Sequence, residues 1–170
     1  LIAKERSGEG GKNQSHIENQ RDLDYCIDKY PNHIYQELIQ GREFSVDLFA
    51  DVKGIPQLIV PRERLSVRGG EVMTSKINMN ESIIDLVEAL SRRLALTGPC
   101  NIQGILHEKG TFFFTDLNLR FGSGSVHTIA AGGNIPLMIY QEMAGQNFLE
   151  PSIQDHSVMT RYPENIFHHS

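Results

Sequence analysis

The sequence predicts an α+β fold, an antiparallel sheet flanked by helices, and three observations carry that prediction. Residues 43–51 alternate apolar Phe44, Val46, Leu48 and Ala50 with polar Ser45, Asp47 and Asp51, the period of a strand with one buried face. Two Lys-Gly pairs, Lys53-Gly54 and Lys109-Gly110, each stand between strand-like runs, as hairpin turns do. The one long amphipathic run, Asn80 to Leu96, follows a set of strands instead of alternating with them, which favours α+β layers over repeated βαβ units.

In chain order, Leu1-Ile2-Ala3-Lys4 opens as a short strand with no Met before it, so the chain reads as a piece of something longer. Residues 7–13, Ser-Gly-Glu-Gly-Gly-Lys-Asn, form either a flexible flap or an anion cradle. Ile17, Leu23, Cys26 and Ile27 predict a helix over 16–30, stopped by Pro31. Strands follow at 33–39, 43–51 and 57–60. Residues 61–75 then form a long basic segment holding Arg62, Arg64 and Arg68 before Gly69-Gly70, a run that covers phosphates or faces solvent. Ile83, Ile84, Leu86, Val87, Leu90 and Leu94 make the clearest helix, with Glu81 and Asp85 near its start and Arg92 and Arg93 near its end, as the macrodipole favours. A hairpin of 101–107 and 111–118 comes next, and helices over 126–131 and 135–143 complete the order.

With 170 residues, 39% of them hydrophobic and 22% charged, the chain suits one domain with a packed core. A net charge of −5 argues against nucleic acid as a partner, and no apolar run approaches the roughly 18 residues that cross a bilayer, so neither nucleic acid nor membrane is expected. Cys26 and Cys100 have no CxxC or paired-His context, which fits a reducing, cytoplasmic location. Oligomeric state is not legible.

The glycine loop fails the two common nucleotide motifs. A Walker A pattern would need Gly at Arg6 and Ser or Thr at Asn13, and a dinucleotide fingerprint would need Gly at Asn13. Gln103 and the pair Asp116-x-Asn118 are the sharper set. Residues two apart in a strand share a face, and the neighbouring hairpin strand can bring Gln103 beside them, so three oxygen donors suited to Mg²⁺ converge. The plain alternative is a solvated strand end. Arg120 continues the spacing and would either clamp a phosphoryl group or make a surface salt bridge. Of seven histidines only His127 lies near this loop, and no GxSxG, HExxH or Cys/His arrangement points to a hydrolase.

Taken in order, Leu-Ile-Ala-Lys4, the glycine loop, Tyr35 to Ile39, Gly41 to Asp47, Pro61-Arg62-Glu63-Arg64, Gly98 to Gln103 and Asp116 to Ser125 resemble the ATP-grasp superfamily. The likeness is to the nucleotide-binding module of carbamoyl phosphate synthetase large subunits in particular, from Leu1 to about Gly145. It implies an ATP-grasp fold with a partial second nucleotide-binding subdomain: 1–35 as a remnant of the smaller subdomain with its glycine-rich flap, and 36–170 as the C-terminal subdomain. It further implies that Lys4 meets nucleotide phosphates, Gly10 and Gly11 cover them, Gln36, Glu37 and Leu38 form the adenine hinge, and Glu43 accepts the ribose hydroxyls. Gln103, Asp116 and Asn118 would hold Mg²⁺, with Mn²⁺ as the alternative ion, and Arg120 would reach the transferring phosphate, giving Arg120 and Asn118 catalytic roles beside the ATP contacts of Gln103 and Asp116.

The implied activity is an ATP- and Mg-dependent ligase that activates a carboxylate or bicarbonate as an acyl phosphate for attack by an amine or ammonia. Carboxylate-thiol or biotin-carboxylase-like chemistry, or a nucleotide-binding module without turnover, are the alternatives. Small-molecule carboxylates and amines are the implied partners, and the chain by itself is expected to be inactive. Two departures bear on the site: Asp116 stands where the family usually has Glu, and Leu119 where it usually has Pro.

Overall fold

The structure, a computed structural model, describes residues 1–7, 14–162 and 164. The glycine flap with Gly10 and Gly11 lies outside the described residues. Among the described residues two antiparallel sheets form.

The smaller sheet has the strand order β2-β1-β3, from β1 (Ile2–Glu5), β2 (Ser15–His16) and β3 (His33–Gln36). Helix α1 (Gln20–Lys29) packs on it through Cys26 against Ala3 and Ile17, with Leu23 and Tyr35 beside them. The helix starts four residues later than its apolar spacing predicts. Asn19 is the cap, its side chain accepting the Asp22 N–H at 3.0 Å, while the Ile17 N–H is drawn to the Leu1 carbonyl. Strand β3 likewise stops at Gln36, and 37–40 are irregular.

The larger sheet runs β8-β7-β4-β5-β6-β9, from β4 (Arg42–Ala50), β5 (Pro56–Arg68), β6 (Glu71–Ile77), β7 (Gly98–Leu106), β8 (Phe112–Asn118) and β9 (Val158–Thr160). The basic segment 61–75 is a hairpin of two strands, with Arg62 buried and Arg68 exposed, turned by Gly69 and Gly70 at φ +58° and +81°, where a side chain would be strained. Strand β9 is three residues long, too short to leave a pattern in the sequence.

One face of this sheet packs on α2 (Glu81–Leu94), joining Phe44, Val46, Leu48, Ile102 and Phe112 to Ile83 and Val87. The helix fits its amphipathic pattern, and Asn80 caps it by accepting the Ile83 N–H at 3.1 Å. Each fully buried apolar side chain here contributes about 1.5–3 kcal/mol. The second face was expected to be open, yet Ser45 and Asp47 on it are only 3% and 1% exposed. The cause is α3 (Ser125–Ala130) and α4 (Ile135–Met143): Ala131, Ile135 and Met138 cover Phe49, Leu58 and Val60 and close off the polar residues beside them. No helix among the described residues is long and apolar enough to cross a membrane.

Candidate active site on the polar sheet face

A single irregularity decides where the predicted oxygen ligands point. On β8, Phe112, Phe113 and Phe114 pair with Leu106, Ile105 and Gly104, but Gln103 then pairs with Asp116, leaving Thr115 as an extra residue. Strict alternation would keep Asp116 and Asn118 on the face of Phe112 and Phe114, which meet edge to face at 5.3 Å, with Phe112 also against Phe44 at 6.4 Å. The bulge at Thr115 moves both to the opposite face, level with Gln103 and Asn101. Gly104 allows the packing beneath, because a Cβ there would lie 2.3 Å from the Phe112 ring.

Behind this edge the sheet carries a buried ionic centre. Asp47 Oδ2 accepts from Arg62 Nε at 2.9 Å and from Thr128 Oγ1 at 2.5 Å, and Oδ1 accepts from Asn101 Nδ2 and Ser125 Oγ, each at 2.7 Å. Asp47 and Arg62 are each 1% exposed, so this pair sits in low dielectric and relies on those four donors. The centre also seats the loop after β8. A Cβ on Gly122 would lie 2.8 Å from Asn101, and one on Gly124 would lie 2.5 Å from Arg62 Nη1, so both positions admit only glycine without rearrangement. Arg161 holds the loop from outside, donating Nη2 to the Ser123 carbonyl at 2.6 Å.

His127 joins α3 to the sheet, with Nδ1 2.8 Å from Ser75 Oγ and Nε2 3.1 Å from Ser157 Oγ. Burial pushes its pKa below the ordinary value and Arg62 adds to that, while Asp47 acts the other way.

Between this centre and the open end of β4 lies Arg64. Its Nη1 donates to Gln103 Oε1 at 2.9 Å and its Nη2 to the Gly70 carbonyl at 3.3 Å. Glu43 Oε2 is 3.7 Å from Nε, within ion-pair reach but too far for a hydrogen bond. Burial lowers the Arg64 pKa, Glu43 opposes that, and Arg62 reinforces it. Gly41, Glu43, Arg64 and Val67 are among the residues that line a cleft of about 440 Å³.

The structure thus brings Gln103, Asp116 and Asn118 to one face and links Glu43 to Gln103 through Arg64. Lys4 and Gln36 lie in the smaller sheet, while Glu37 and Leu38 are exposed in the stretch after β3. Arg120 does not continue an extended path: β8 ends at Asn118, the chain bends at 119–120, and Arg120 Nη1 donates to the Phe121 carbonyl at 2.9 Å. Asp47, Arg62, Asn101, Ser125 and Thr128 were not singled out as a unit by the sequence. Alternation put Asp47 with Ser45 and Asp51 on the polar face, and no local pattern marked it as buried beside Arg62, whose register partner is Ser45.

The donor set suits a hard cation in part. Asp116 supplies one carboxylate, and Asn118 donates to its Oδ2 at 2.6 Å, leaving the amide oxygen for another partner. Among the described residues no three His, Cys, Asp or Glu side chains cluster as a metal site, so an ion here needs phosphate oxygens and water to fill its shell.

A family model described as "ATP-grasp in the biosynthetic pathway with Ter operon" matches residues 29–165. Among solved structures the chain is similar to the biotin carboxylase β-γ-ATP complex from Campylobacter jejuni, with TM-score 0.73 and 17% identity over 94% of this chain and 41% of that one. It is also similar to N5-carboxyaminoimidazole synthetase from Staphylococcus aureus complexed with ADP, with TM-score 0.72 and 15% identity over 95% of this chain and 46% of that one. A third likeness is to L-amino acid ligase from Bacillus licheniformis, with TM-score 0.58 and 15% identity over 89% of this chain and 39% of that one. At these identities the likeness is one of fold, and the chain spans less than half the length of each. No curated protein matches the chain by sequence.

Proposed function

Because the chain belongs to the ATP-grasp family, we propose that it forms part of the nucleotide site of an ATP-dependent ligase, with 1–35 and 36–170 as parts of its two subdomains. The observation that carries this reading is the bulge at Thr115, which aligns Asp116 and Asn118 with Gln103 on the polar face. In the intact protein a substrate carboxylate or bicarbonate oxygen attacks the γ-phosphorus of ATP and ADP leaves. An amine or ammonia then attacks the acyl carbon and phosphate leaves. The solved relatives with ADP or an ATP analogue in their names support nucleotide binding, and one whose name includes magnesium supports Mg²⁺ as the ion.

Gln103, Asp116 and Asn118 would hold the cation, which when bound offsets phosphate charge. Lys4 and the Gly10-Gly11 flap would meet the phosphates, Gln36 to Leu38 the adenine, and Glu43 the ribose. Arg120 would face the transferring phosphate, giving up the Phe121 carbonyl that it holds in this structure. No side chain serves as a nucleophile. The work is orientation and charge, which is what a fixed sheet face supplies. A second reading, nucleotide binding without turnover, is favoured by the single carboxylate among the three ligands.

Calorimetric titration with ATP and Mg²⁺ tests the site. Asp116→Asn removes the only full negative charge among the ligands at nearly constant shape and should weaken Mg²⁺-dependent binding by about tenfold or more. Unchanged affinity and Mg²⁺ dependence would reject the assignment. In the intact protein, phosphate release that requires both a carboxylate and an amine separates ligase from binding module.

A further inference from the structure

We propose that Arg64 is a phosphate-binding residue of this site and that it takes Gln103 out of the metal shell, leaving Asp116 and Asn118 as the protein's metal ligands. The proposal rests on the nucleotide-site reading above and refines it.

A guanidinium carries five N–H donors and no acceptor, so only the oxygen of the Gln103 amide can face Arg64, as the 2.9 Å contact shows. The amide is thereby fixed in one orientation, with its nitrogen on the far side. A divalent cation on that oxygen would stand next to a guanidinium and be repelled by it. The same contact leaves Gln103 with an N–H₂ to offer to anionic oxygens. Among the described residues Asp116 and Asn118 bond no such competing cation: Asp116 Oδ2 accepts from Asn118.

Arg64 itself is underused for so buried a group. Its side chain is 10% exposed, yet among the described residues Nε has no hydrogen-bond partner, and the N–H groups engaged are those to Gln103 and Gly70. A buried charged donor left without an acceptor is costly, and the fork of a guanidinium matches two phosphate oxygens at once. Position narrows the ligand. Arg64 lies between Glu43, where the ribose is expected, and Gln103, beside the metal end, and with Glu43 it lines the cleft on the Glu43 side. The part of a nucleotide that runs between a ribose and metal-bound phosphate is its proximal phosphate chain, so phosphate oxygens are the acceptors that complete Arg64.

The experiment compares ADP, adenosine and inorganic phosphate as calorimetric probes on the wild-type protein and on Arg64→Met, Arg64→Lys, Gln103→Ala and Asp116→Asn, with Mn²⁺ binding to the ADP complex read by electron paramagnetic resonance. Arg64→Met should weaken ADP by about tenfold or more and leave adenosine within about twofold, because the charge-assisted contact to the ligand that is lost is to phosphate, which adenosine lacks. Arg64→Lys should recover part of the ADP affinity, which a purely structural role would not predict. Gln103→Ala should leave Mn²⁺ affinity in the ADP complex within about twofold, while Asp116→Asn lowers it by about tenfold. Equal ADP affinity in Arg64→Met, or a loss of Mn²⁺ in Gln103→Ala as large as in Asp116→Asn, overturns this proposal alone. Binding of inorganic phosphate as tightly as ADP also overturns it, since the site would then be a free-anion site. A wild-type protein that binds neither ADP nor adenosine overturns the nucleotide reading and this proposal with it.

Discussion

Asp47 accepts four hydrogen bonds from β5, β7 and α3, and no other carboxylate in the described residues is so enclosed. Asp47→Ala would strand the Arg62 guanidinium at 1% exposure, where Nη1 already lacks a partner. The expected cost is about 3–5 kcal/mol, read as a lower midpoint in urea unfolding. His127 gives a pH signature. Its folded pKa lies below the ordinary 6.5, so well above that pH both folded and unfolded forms are mostly uncharged there and little stability is lost. As pH falls below 6.5 the unfolded chain takes the proton first, and stability is lost until pH passes the lower folded pKa. His127→Gln should therefore flatten the decline of melting temperature between about pH 7 and 5. None of this was legible locally, because the partners that bury Asp47 lie 78 and 81 residues further on, at Ser125 and Thr128. A strand pattern reports which residues share a face. It does not report what later covers that face.

The elements themselves were more legible, since hairpin turns and the α2 stripe are local features. The pattern over 80–96 gave a helix at 81–94, and Lys53-Gly54 and Lys109-Gly110 fell at turns, Gly54 and Gly110 with φ of +75° and +85°. The register of β8 was not legible, because Phe112, Phe114, Asp116 and Asn118 occupy even positions and alternation alone puts them on one face. Only pairing with β7 reveals Thr115 as the extra residue. Deleting Thr115 should restore strict alternation and turn Asp116 and Asn118 toward the phenylalanine face. The expected result is a retained β-sheet signal in circular dichroism with Mg²⁺-dependent nucleotide binding abolished. Thr115→Ala, which keeps the count, should bind as wild type.

At the scale of the molecule the two sheets differ in the size of their cores. The smaller rests on Ala3, Ile17 and Cys26, whereas the larger has an apolar cluster on each face. Native-state hydrogen exchange should show β1 and β3 amides opening at lower free energy than those of β4 and β7, with the gap narrowing when nucleotide joins the sheets. The α+β class followed from the order of strands and helices, but the separation of β3 from the sheet begun by β4 did not, since both read as strand around Gly41. The strand order β8-β7-β4-β5-β6-β9 has a further kinetic consequence. The meander β4-β5-β6 and the hairpin β7-β8 can each close locally, but joining them pairs Ala50 with Gly98 and Arg42 with Leu106. That long-range closure is the step expected to limit refolding, and until it occurs Asn101 cannot reach Asp47. Nascent chains would therefore pass through a stage in which Asp47 and Arg62 are paired on an incomplete sheet, with the inner edge of β4 open to partners of the wrong kind.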